Sequence, residues 1–68
     1  MGDMSWDMQV IMTAQSIWND LGAFASRMDE ACDMARQAAS RYEEPEAGWF
    51  MADVLNTLNE IEMEEETC

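Results

Sequence analysis

The sequence predicts an all-α fold, and three observations carry that prediction. Apolar residues recur at alternating steps of three and four over most of the chain, which is the period of a helix face. The single proline, Pro45, stands between two such stretches, where its fixed φ suits the first turn of a helix. No alternating run, hairpin dipeptide or cluster of β-branched residues argues for a strand. At 68 residues one small helical domain, spanning 1–68, is the ceiling. A chain of this length buries only roughly 60% of the surface its unfolded form exposes, so it needs regular helix packing or a partner to be stable.

The first stretch is the longer. Ile11, Ala14, Trp18, Leu21, Ala25, Met28, Cys32, Ala35, Ala39 and Tyr42 form an unbroken heptad seam. Val10, Ile17, Phe24, Ala31 and Ala38 recur every seven residues beside it. The resulting face is wide enough to pack against two neighbours. Asn19, Asp20, Ser26, Arg27, Asp33, Gln37 and Ser40 lie opposite, as a solvated face should. Asp3 and Ser5 are candidate N-caps, and Asp7 puts negative charge near the first turn. Glu44 precedes Pro45 and is pushed out of the α region, so the helix should end near Tyr42. Gly22 is the ambiguous position, because Asn19-Asp20-Leu21-Gly22 could be a turn. The heptad phase is nevertheless the same on both sides of it. That continuity favours one long helix over about 5–42, bent at Gly22 and roughly 57 Å long at 1.5 Å per residue. A break at Gly22 is the alternative and gives a three-helix bundle.

The second helix should start at Pro45 and run to about Met63. Ala47, Met51, Val54, Leu58 and Ile61 repeat at steps of four and three, and Phe50 and Leu55 widen the stripe. Residues 64–68, which include three consecutive glutamates, read as a frayed acidic tail, since carboxylates oppose the dipole at a helix C-terminus. A helical hairpin with such unequal arms leaves Val10, Ile11, Ile17 and Trp18 uncovered. Exposed apolar patches of that kind mark interfaces, so a homodimer is expected, with Ile11, Ile17, Trp18, Leu21, Phe24 and Met28 as its core seam.

Composition excludes many functions. There is no histidine and no lysine, and the three cations are Arg27, Arg36 and Arg41. Imidazole general bases, Ser-His and Cys-His nucleophile pairs, His-ligated metal sites, Schiff bases and the P-loop lysine are therefore absent. A net charge of -12 opposes direct binding to nucleic acid and to anionic membranes. No apolar run approaches the ~20 residues that span a bilayer. Residues 1–12 carry no basic region followed by an apolar one, so no secretory signal is expected and the cytoplasm is the expected location. Cys32 falls on the seam and Cys68 is the last residue. Two cysteines are too few for a disulfide scaffold, and free thiols are expected. The acidic clusters lack the alternating ligands of a calcium loop and the histidines of a di-iron bundle, so neither a metal nor a cofactor is expected. A chain of two or three helices has little room for a catalytic pocket, and no enzyme activity is expected.

What remains is charge and aromatics. From Glu43 onward there are nine carboxylates and no cation. Carboxylates three or four apart on a helix sit about 5–6 Å from each other, a spacing comparable to phosphates along a strand. Glu43, Glu44, Glu46, Asp53, Glu60, Glu62 and Glu64 are the candidate partner-binding carboxylates, with Trp49 as a candidate anchor. A face that only keeps the chain in solution is the plainer alternative. Yet one net charge per six residues (68/12) repels itself, and something should compensate. Trp6 and Trp49 lie off the main stripes, where they either contact a partner or pack around the turn. Trp18, Phe24 and Tyr42 fit the core face.

In composition the chain resembles the small acidic inhibitors that bacteriophages and mobile elements direct against host enzymes, such as uracil-glycosylase inhibitor, anti-restriction proteins and some anti-CRISPR proteins. Trp18-Asn19-Asp20-Leu21, with Phe24 and Ser26 following, is similar to part of the short acidic coiled-coil inhibitor of host exonuclease V in T7-like phages, over about nine of 68 residues. That family has nothing to match the helix begun by Pro45, and no binding residue carries over from it. The resemblance implies a small cytoplasmic inhibitor whose partner is a host protein with a basic nucleic-acid-binding cleft. An adaptor that binds through its apolar helical groove is the alternative.

Overall fold

The computed structural model describes residues 3–67, with helices and turns and no strand among them. Helix α1 spans Asp3–Leu21, a 3-10 turn spans Ala25–Arg27, α2 spans Met28–Ala39 and α3 spans Glu46–Thr67. Each helix packs against the other two. The single long helix over 5–42 is therefore not formed, and the three-helix alternative is. The longest dimension of the fold is 35 Å, far short of the ~57 Å that such a helix would need.

Gly22 makes the break. Its φ is +72°, a conformation that L side chains enter at a cost of about 1–2 kcal/mol. Its N–H donates to the Trp18 carbonyl at 2.7 Å, closing α1 as a left-handed C-cap. A Cβ built on Gly22 meets no atom within 4 Å. Gly22→Ala should thus carry the backbone penalty alone. The melting temperature should fall by about 4–8 °C per kcal/mol with helicity retained, which a circular-dichroism melt checks. An unchanged melting temperature would mean that the turn does not depend on glycine.

Past Gly22 the chain turns Phe24 inward, where it is buried. The Phe24 and Ala25 N–H groups donate to Glu62 Oε2 and Oε1 of α3, both at 3.2 Å. One carboxylate thereby satisfies two backbone donors at the entry to the 3-10 turn and clamps the α1–α2 connection to α3. Glu62→Ala should destabilise the fold by about 1 kcal/mol, the net worth of hydrogen bonds that water can partly replace at these part-buried and exposed amides. Hydrogen exchange at the Phe24 and Ala25 amides should accelerate more than elsewhere. Uniform acceleration would argue against a local clamp.

Ser5 lies inside α1 rather than at its cap, and what precedes Asp3 lies outside the described residues. Helix α2 ends at Ala39, three residues before Tyr42, where the Ser40 N–H and hydroxyl both donate to the Gln37 carbonyl. Helix α3 begins one residue after Pro45, whose peptide bond with Glu44 is cis. It continues to Thr67 rather than stopping near Met63, so the acidic run at 64–66 is helical. The strong helix propensity of glutamate outweighs its unfavourable place in the dipole. Cys68 lies outside the described residues.

The core comprises Val10, Ala14, Ile17, Phe24, Ala31, Ala35, Ala39, Phe50, Val54 and Leu58. Alanines at 31, 35 and 39 lie one helical turn apart and let α2 approach its neighbours closely. The expected core seam is only partly this core. Ile17 and Phe24 are buried and Trp18 and Leu21 half-buried, but Ile11 is 48% and Met28 45% exposed. The expectation of a homodimer rested on Val10, Ile11, Ile17 and Trp18 lying uncovered. Val10 and Ile17 are instead covered by the chain itself.

At one end, Trp6, Tyr42 and Phe50 form an aromatic cluster with ring centroids 4.8–5.4 Å apart. Such pairs add to the burial energy. Trp6 therefore packs around the turn, tying α1 to α3 and to the segment that joins α2 to α3. The Arg41 guanidinium donates to Gln9 Oε1 at 3.1 Å and holds the same segment to α1.

Candidate docking face

Helix α3 has two stripes of helical spacing. The inner one carries Phe50, Val54 and Leu58 into the core. The outer one is Glu46, Trp49, Asp53, Asn56, Glu60 and Met63, at steps of three and four, and every member is exposed. Trp49, at 61%, is the most exposed large apolar side chain among the described residues. The outer stripe thus places three of the expected carboxylates and the expected anchor on one line.

Beside that line runs α1. Asp7, Val10, Ile11, Asp53, Asn56, Thr57 and Glu60 line an open groove between α1 and α3. Asp7 and Ile11 also border an exposed apolar strip formed with Met8 and Met12. One face of the bundle therefore combines carboxylates on both walls of a groove with Ile11, Met8 and Met12 on its α1 side. Sequence reasoning missed the α1 contribution. Met8 and Met12 are one turn apart, but they lie off the heptad seam, and in the sequence Asp7 signals only negative charge near a helix start.

The expected carboxylates do not act as one set. Glu62 faces inward and serves as the clamp described above. Asp53 accepts the Trp6 indole N–H at 2.9 Å, so it stabilises the fold as well as charging the groove. Glu43 and Glu44 are exposed in the turn before α3, and Glu64 is exposed one turn beyond Glu60. Glu46 and Glu64 are about 27 Å apart along the helix at 1.5 Å per residue, so the two ends cannot meet one small ligand.

The cations lie elsewhere. Arg27 is hydrogen-bonded to Glu30, which raises the guanidinium's pKa and holds the carboxyl below its ordinary value. Arg36 pairs with Asp33 at 3.2 Å on α2. Both pairs are exposed and add little stability. Arg41 reaches Gln9 of α1, and none of the three arginines lines the groove between α1 and α3. Among the described residues no cluster of three or more potential metal ligands forms, and no helix is long and apolar enough to cross a membrane. Cys32 is free and half-buried on α2. Comparison with protein-family models, curated proteins and solved structures finds no match to this chain.

Proposed function

We propose that this chain is a small, non-catalytic protein-binding inhibitor. It engages a nucleic-acid-binding protein of a host cell by placing carboxylates where that protein receives phosphates. The observation that supports the reading most is the outer stripe of α3. Glu46, Asp53 and Glu60 lie on it with the exposed Trp49 among them, and Asp7 faces it across the groove. A face of one sign steers a partner of the opposite sign and raises its rate of encounter. An exposed tryptophan supplies the kind of anchor that dominates binding energy at interfaces.

The test is capture from bacterial lysate on the immobilised protein, eluted with rising salt. A basic nucleic-acid-binding protein should elute at moderate salt, and competing duplex DNA should prevent its capture. Capture that survives high salt and ignores DNA would instead favour the adaptor reading, which the exposed Met8, Ile11 and Met12 support. Trp49→Ala should weaken capture by at least tenfold. Its stability should stay within about 0.5 kcal/mol of the parent, as for a surface substitution. Undiminished capture by that variant would remove Trp49 from the interface.

A further inference from the structure

We propose that the occupant of the α1–α3 groove is a basic amphipathic helix of the partner protein. The inference rests on the reading that the partner is a cationic protein, and adds the form in which its charge is presented. A purely ionic surface would not explain the exposed Ile11, Met8 and Met12 that border the carboxylates. A nucleic-acid-like surface needs charge, whereas an apolar strip beside a charged groove needs an apolar counterpart. An amphipathic helix has both. Its apolar residues recur at i, i+3, i+4 and i+7, and they dock in grooves between helices. Basic residues flanking that stripe would reach Asp7 on one wall and Asp53 and Glu60 on the other. On α3 the groove runs from Asp53 to Glu60, about 10.5 Å at 1.5 Å per residue, which follows about two turns of a docked helix. Methionine side chains adapt to varied apolar surfaces, which suits Met8 and Met12 to this contact. A second copy of the chain is disfavoured, since pairing this face with itself sets carboxylates against carboxylates. Charge complementarity selects a cationic occupant.

The probe is a synthetic 16-residue peptide with leucines at i, i+3, i+4 and i+7 and with arginine or lysine flanking them. A scrambled peptide of the same composition and an oligo-arginine of the same charge serve as comparisons. Titration calorimetry should show the amphipathic peptide binding at least tenfold tighter than either. Ile11→Ser with Met12→Ser should remove that advantage while circular dichroism stays unchanged. Met12→Ser alone, at a side chain that is mostly exposed, gives the same readout should the double variant lose structure. Equal binding of all three peptides would overturn the inference and leave the cationic-partner reading standing. Failure of every cationic peptide to bind would overturn both. Self-association in sedimentation, abolished by Ile11→Ser, would assign the face to a second copy and overturn the inference.

Discussion

Phe50→Ala should remove from about a third to all of the domain's stability at 25 °C. Phe50 is fully buried and its ring meets Trp6 edge-on at 5.4 Å and Tyr42 at 4.8 Å. Truncating such a residue costs about 3–5 kcal/mol in lost transfer energy and residual cavity. A domain of this size holds about 3–10 kcal/mol in total, at ~0.05–0.15 kcal/mol per residue. The loss is therefore a large share of the whole. It is also badly placed, because the ring joins α1, α3 and the segment that leads into α3, so no single helix can close the gap by shifting. Its sequence neighbour makes the control. Trp49 is a larger aromatic, yet it projects to solvent, and Trp49→Ala should leave the melt nearly unchanged. Urea and thermal melts followed by circular dichroism distinguish the two. A Phe50→Ala protein that melts within a few degrees of the parent would contradict the core described here.

That contrast also shows what the sequence could disclose. In α3 the periodicity was informative because its buried positions carry Phe50, Val54 and Leu58, which gain much from burial. Over residues 22–28 the same periodicity misled. The seam there was carried by Ala25 and Met28, both exposed in the fold. Alanine has little side chain to bury, and methionine is flexible enough to lie on a surface. An unbroken pattern through Gly22 was therefore weak evidence for an unbroken helix. The left-handed cap at Gly22 was the stronger local signal. Glu62 illustrates a different limit. It looked like one more carboxylate in an acidic run, but its role is set by amides 37 and 38 residues away. No local pattern marks such a contact. The candidate site was legible in part, since Glu46, Trp49, Asp53 and Glu60 were named from charge and aromatic content. The groove that gives them a second wall depends on how α1 lies against α3, and tertiary packing decides that.

The largest functional effect should come from reversing the docking face. Asp7→Lys, Glu46→Lys and Glu60→Lys together take the net charge from -12 to -6, each substitution adding two units. Asp53 is left alone because its carboxylate also holds Trp6. Affinity for the captured basic partner should fall at least a hundredfold, which is about 2.8 kcal/mol. Overall charge alone could produce part of that loss, so a second triple variant is needed. Asp20→Lys, Asp29→Lys and Asp33→Lys also give -6, but these residues are exposed on the end of α1 and on α2. This variant should retain most of the affinity, since only long-range attraction is reduced and salt screens that beyond about 8 Å at physiological strength. Stability supplies the second readout. Both variants relieve self-repulsion, but each also sets a cation in a first helical turn, at Glu46 or Asp29, and the second breaks the exposed Asp33–Arg36 pair, so both should melt close to the parent temperature. Binding lost while stability holds is a pattern that misfolding cannot produce. Equal loss of binding in the two triple variants would mean that the partner senses the charge of the whole molecule, and that the α1–α3 face has no special place in recognition.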